Sequence, residues 1–351
     1  MLGQISRGNI NLDPIFQRRS AWNTTRQSLF IESLVLGLPI PQLILAEDRR
    51  KKGSYIVIDG KQRLLAIRAF SARTGGDDFT PLRLRGLKEM NQINGKRYQD
   101  LLKDDAFSDE LAAFENSSIR TVIIRNWSNE AYLYEVFLRI NTGSVQLSPQ
   151  ELRQALHPGQ FSKFVDKRSA DSLQLQKALS LTGPDFRMRD AELLLRYLAY
   201  ANFAELNQGN LKRFLDETTR KLNKSWDKDQ RSIEEQCNQL ENAISFTKSI
   251  FGNSNYFRKW NGTDFERRKN RAVMDIMLYY FSNPKRRQLL NGKNEQIVNA
   301  FKSLCETDRE FLTSFETTTK SLAANAARFN RWAEELSIIV GEKIRSPYED
   351  I

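Results

Sequence analysis

Cysteine and histidine are nearly absent from this chain: two cysteines and one histidine in 351 residues. Cys237 and Cys305 stand far apart, each without a cysteine or histidine at metal-ligand spacing. Neither a disulfide framework nor a zinc site is supported, and both read as buried, inert thiols. His157 lies in Leu156-His157-Pro158-Gly159, where a helix should stop, and reads as a helix-end residue. A histidine-dependent nuclease, a metal-histidine cluster or a Ser-His-Asp hydrolase would each rest on that one side chain. Long apolar runs are missing too. No stretch approaches the roughly 18 residues that cross a bilayer, and Met1-Leu2-Gly3-Gln4 lacks the basic-then-apolar start of a secretory signal. A cytoplasmic protein with no membrane partner is expected. Internal repeats and low-complexity tracts are absent as well.

What is present suffices for two cores, because 351 residues at 40% apolar content exceed what one core usually serves. Net charge is +11 and unevenly spread. Residues 51–100 hold 11 Lys/Arg against 5 Asp/Glu, and residues 251–300 hold 10 against 4, so the rest of the chain is nearly neutral. Two separated basic regions suit two polyanions, such as nucleotide phosphates and a nucleic-acid backbone, and equally suit a solvated surface.

Hydrophobic periodicity predicts a mixed opening third. A helix over Thr25–Leu36 ends at Gly37, and Pro39-Ile40-Pro41 then leads into a strand over Gln42–Ala46. Tyr55-Ile56-Val57-Ile58 reads as a buried strand, followed by Asp59-Gly60 and a helix over Lys61–Ala72. Ser118–Arg125 reads as another strand, and Ser128 as the cap of a helix whose Leu133, Val136, Phe137 and Ile140 share one face. Ser148-Pro149-Gln150-Glu151 has the form of a capping box with proline at the first helical position. Helices are then expected over Asp190–Phe203, Asn210–Leu222, Ser232–Ile250, Arg271–Phe281 and Ala323–Ile339. The fold class is α+β, with an N-terminal domain over residues 1–160 and an all-α bundle over 161–351.

A strand that ends in a glycine turn aims a helix N-terminus at whatever lies above it, and phosphate is the natural guest. Lys61 and Arg63 add cations there, a choice that opposes the helix dipole in an empty site. From these residues alone, Asp59 as an ordinary N-cap with solvated cations behind it is an equal reading.

Asp59-Gly60-Lys61-Gln62-Arg63 resembles the Asp-Gly-Gln-Gln-Arg signature of the GmrSD restriction endonuclease N-terminal domain family. Two further stretches resemble that family in the same order. Asp13-Pro14-Ile15-Phe16-Gln17-Arg18-Arg19-Ser20-Ala21-Trp22 is similar to its Pro-x-Tyr-Gln-Arg-x-x-x-Trp element. Phe137-Leu138-Arg139-Ile140-Asn141-Thr142-Gly143 through Leu147-Ser148-Pro149-Gln150-Glu151-Leu152-Arg153 is similar to its Phe-x-Arg-Ile-Asn-x-Gly, Leu-Ser-x-x-Glu element. The resemblance implies a ParB/sulfiredoxin-like nucleotide-binding domain. It further implies a nucleoside triphosphate (ATP, GTP or CTP) with magnesium, DNA as a partner, and a separate nuclease or defence subunit.

Carried onto this chain, the resemblance implies Gln17, Arg18, Gly60, Lys61, Arg63, Arg139 and Asn141 in nucleotide binding, with Asp59 and Gln62 in catalysis. Arg18 and Arg63 suit phosphate oxygens, Gln62 a water, and Asp59 a base or a metal-bound water. Asn141 suits a ribose, a base or a helix end. Lys61 departs from the family's glutamine. If that glutamine positions water, a lysine here favours sensing nucleotide over hydrolysing it. Sulfiredoxin chemistry is excluded, since it needs a cysteine in this box.

The second basic region holds Arg258-Lys259-Trp260, Arg267-Arg268-Lys269-Asn270-Arg271 and Pro284-Lys285-Arg286-Arg287, with Tyr256, Phe257, Trp260 and Phe265 interleaved. Arg267, Arg268, Lys269, Arg271, Lys285, Arg286 and Arg287 are the expected DNA-binding cations, and the aromatics suit either base stacking or anchorage in a core. Three functions follow: a nucleotide-hydrolysing subunit of a restriction or anti-phage system, a nucleotide-gated DNA-binding module, and a magnesium nuclease using Glu47 or Asp48 with Asp59 and Lys61.

Overall fold

The computed structural model describes residues 2–10, 12, 19–49, 51–73, 79–140, 148–316 and 321–349. The chain divides into two units, Met1–Leu156 with Phe186–Met188, and His157–Asp185 with Arg189–Ile351. Among the described residues no helix is long and apolar enough to cross a membrane.

The first unit mixes helices and strands. Its elements run α1 (Leu2–Ser6), α2 (Thr24–Val35), β1 (Leu43–Glu47), β2 (Tyr55–Asp59), α3 (Lys61–Phe70), α4 (Tyr98–Leu102), α5 (Ser108–Asn116), β3 (Thr121–Ile124), α6 (Glu130–Ile140) and α7 (Pro149–Leu156). β1 is central, antiparallel to β2 and parallel to β3. The two-residue alternation of strands sends Leu43, Leu45 and Val57 to one face, against Leu64 and Leu65 of α3. Ile44, Ala46, Ile56 and Ile58 fill the other face with Leu133 and Phe137 of α6 and Leu152 and Leu156 of α7. Cover on both faces is why Ile56-Val57-Ile58 is apolar without alternation.

A second cluster joins Phe30, Ile31 and Leu34 of α2 to Ile67 and Phe70 of α3 and to Leu82, Leu84 and Leu87. Glu32 fixes that last segment: its Oε1 accepts the backbone N–H groups of Lys88, Glu89 and Met90 at 2.9, 2.8 and 2.9 Å. Helix α6 is capped by Asn129, whose side chain accepts the Tyr132 N–H at 2.9 Å, and not by Ser128 as expected. The capping box of α7 is present, with Glu151 N–H donating to Ser148 Oγ at 3.1 Å and Ser148 N–H donating to Glu151 Oε2 at 2.8 Å.

The second unit is largely helical: α8 (Gln160–Asp171), α9 (Leu173–Ala178), α10 (Arg189–Phe203), α11 (Leu211–Asn255), α12 (Arg271–Phe281), α13 (Pro284–Leu290), α14 (Asn294–Thr307), α15 (Arg309–Glu316) and α16 (Leu322–Val340). It departs from the expected all-α bundle by a hairpin, β4 (Arg258–Trp260) with β5 (Phe265–Lys269). Its turn is built on Asn261, whose side chain accepts the N–H groups of Thr263 and Asp264 at 3.0 and 2.8 Å, with Gly262 at φ 93°. Trp260 and Phe265 face each other across it with ring centroids 5.1 Å apart. The second departure is α11, one helix of 45 residues with a non-helical Gly252 near its end, where two helices were expected. The polar stretch Asn223–Arg231 hides its continuity, since Trp226 is its one buried side chain, packed against Phe161 and Phe164 at 5.8 and 4.9 Å.

Candidate functional site

Gly60 makes the geometry of the first unit's motif possible. It caps α3 in the left-handed region at φ 96°, and a Cβ there would stand 2.2 Å from Leu43 Cδ2. Only glycine satisfies both conditions. Asp59 is therefore the last residue of β2 and not the cap of α3. The N-cap residue, Gly60, has no side chain with which to cap the helix.

The charged residues around this turn are engaged with the protein itself. Arg63, 8% exposed, donates to Pro41 O at 2.6 Å, Gln42 O at 3.3 Å and Asp59 Oδ2 at 2.7 Å. It thereby staples the end of β2 to the backbone leading into β1. Lys61 Nζ donates to Glu151 Oε1 at 2.8 Å, with side chains 9% and 4% exposed. Gln62 Oε1 accepts from Ser20 Oγ at 2.8 Å and the Ala21 N–H at 3.1 Å. The picture of Lys61 and Arg63 as solvated cations is corrected: burial required each to have a carboxylate partner.

These contacts bring three stretches, separated in sequence, to one place. Ser20 and Ala21 from the first element meet Gln62 of the second, and Glu151 from the third meets Lys61. Gln17, Arg18 and Asn141 lie outside the described residues. Arg139 is exposed on α6 in an ion pair with Glu135 at 3.4 Å. Glu151 is the participant that sequence reasoning assigned only to helix capping; its one early signal was membership of the third element.

Strand register argues against the nuclease arrangement. Asp59 pairs with Ile44, while Glu47 pairs with Tyr55 at the other end of the ladder. Three residues of strand separate them, about 10 Å. Among the described residues no group of three or more His, Cys, Asp or Glu is placed to hold a metal.

Within the second unit the expected cations divide by exposure. Arg267, Arg268 and Lys285 are exposed. Arg271 pairs with Glu192 at 2.7 Å, and burial pushes its guanidinium below the ordinary arginine range. Arg287 donates to Phe281 O, Ser282 O and Gln239 Oε1 at 2.6, 2.8 and 2.6 Å, closing the end of α12. Arg286 lies over the rings of Tyr279 and Tyr280 at 5.8 and 5.3 Å. Lys269 donates to Lys177 O at 2.9 Å and sits 3.8 Å above the Tyr256 ring. Burial, reinforced by Arg258 and Lys248, pushes its ammonium down to about 8. Tyr256 and Phe257 are buried anchors.

A compact α+β unit with a strand–glycine–helix turn, where three sequence elements converge, is the class of domain seen here. Residues 1–158 match the family model of the GmrSD restriction endonuclease, N-terminal domain. This part of the chain belongs to that family. Neither curated proteins nor solved structures give a match.

Proposed function

We propose that this protein is a nucleoside-triphosphate-binding component of a DNA-restriction or anti-phage defence system, with its site at the start of α3 in a ParB/sulfiredoxin-like domain. The observation that carries the reading is the convergence of Ser20 and Ala21, Asp59–Arg63 and Glu151 around one helix N-terminus. The amides of that first turn and Lys61 suit phosphate oxygens, and Gly60 permits the turn that aims them, since a Cβ there would run into Leu43 and Arg63. Arg63 organises the site by holding Asp59, and Gln62 is oriented through its oxygen, which leaves its amide nitrogen to point elsewhere. A bound triphosphate would bring the phosphoanhydride bond and its accompanying magnesium. The exposed Arg267, Arg268 and Lys285 then provide the DNA-facing cations.

A second reading, a nucleotide-gated DNA-binding module without rapid turnover, is favoured by one residue: Lys61 stands where the family has glutamine. A panel of ATP, GTP and CTP, with and without magnesium and duplex DNA, tests binding and turnover together. Lys61→Gln raises hydrolysis relative to binding if glutamine orients the water. Brisk wild-type turnover that Lys61→Gln slows assigns catalysis to the lysine instead, and no binding of any triphosphate rejects both readings.

A further inference from the structure

We propose that Glu151 is an internal stand-in for phosphate: it occupies Lys61 in the structure described and is displaced when a triphosphate enters, freeing the first turn of α7. This deepens, and rests on, the reading of residues 59–63 as a nucleotide site. The pair is nearly dry, with Nζ and Oε1 2.8 Å apart, so a buried carboxylate already faces the Lys61 ammonium. A phosphate oxygen on the same ammonium would place a second anion beside the carboxylate in a poorly screened space, and the two repel. Phosphate and Glu151 therefore compete.

The competition reaches beyond the site because of where Glu151 sits. It is the third residue of α7, and its other oxygen holds the Ser148 N–H at 2.8 Å. Leu152 and Leu156 keep the rest of α7 in the sheet's core cluster, so release affects the first turn and spares the helix. α7 is also the last element before the chain passes into the second unit at His157. Site occupancy is thus converted into freedom of the first turn of α7, while Leu152 and Leu156 hold the end of the helix that leads to His157.

Glu151→Gln isolates the charge, because glutamine at this position still serves a capping box. Affinities for tripolyphosphate, ATP, GTP and CTP are measured by calorimetry for wild type, Glu151→Gln, Lys61→Gln and the double variant, each checked for folding by circular dichroism. The proposal expects Glu151→Gln to bind at least one of these about tenfold tighter or more than wild type, and the gain to vanish in the Lys61→Gln background. Wild-type amide exchange in residues 150–153 is expected to quicken when that ligand is added. Equal or weaker binding by folded Glu151→Gln overturns the proposal while leaving the site reading intact. Should that variant fail to fold, unchanged exchange in 150–153 of ligand-bound wild type overturns it. Absence of binding by all four proteins removes the site reading and the proposal together.

Discussion

Arg63 makes three hydrogen bonds from a buried guanidinium, two of them to the backbone carbonyls of Pro41 and Gln42. Arg63→Ala should therefore cost stability as well as any ligand contact, on the order of 3 kcal/mol by urea denaturation. Arg63→Lys keeps one cation for Asp59 and should recover part of that loss. A loss below about 0.5 kcal/mol for the alanine variant contradicts the stapling role. Lys269 gives a pH test. Its folded value near 8 lies below the ordinary lysine value of 10.5, so between those limits the unfolded chain binds more protons. Stability contributed at this position therefore rises with pH across that window. The difference in unfolding free energy between wild type and Lys269→Gln, followed from pH 7.5 to 10.5, should shift toward wild type. A flat difference shows that the ammonium is not desolvated. Of these residues, Gly60 was legible in sequence because Ile-Val-Ile-Asp-Gly before a helical run has few other solutions. The partners were not. Backbone carbonyls carry no sequence signature, and Lys61 lies ninety residues from Glu151.

At the scale of elements, Glu32 is the device that docks residues 82–90 on α2. Three amides share one buried oxygen, so Glu32→Ala should destabilise by roughly 3 kcal/mol, and Glu32→Gln by less. A thermal melt of Glu32→Ala that overlays wild type contradicts the docking role. The three strands and α2, α3, α6 and α7 of the first unit were readable from period and punctuation, including the capping box at Ser148–Glu151, because local chemistry decided them; the short helices α1, α4 and α5 were not anticipated. The hairpin β4–β5 was readable in principle from Asn261-Gly262 between aromatic and β-tolerant residues. Its dense cations mask that signal. Lys259 shows why charge misled: its Nζ is buried and paired with Glu266, at 2.9 Å, and with Glu316.

For the whole molecule, exposure narrows the DNA-facing set to Arg267, Arg268 and Lys285. Replacing all three by glutamine should reduce the slope of log affinity against log salt for a duplex by up to about 2.7, at 0.9 per phosphate neutralised, and leave nucleotide affinity unchanged. Identical slopes would show a solvated face. That the chain holds an α+β unit and a mostly helical one followed from length and periodicity, and the family of residues 1–158 followed from three short elements in order. What brings those elements together is tertiary packing, which no local signal encodes. The central claim, that a triphosphate sits on the first turn of α3, is tested most directly by amide hydrogen exchange of the wild-type protein with and without saturating ATP, GTP or CTP. The account predicts slowed exchange at residues 60–64 with at least one of them; unchanged exchange at 60–64, or protection confined to the second unit, would contradict it.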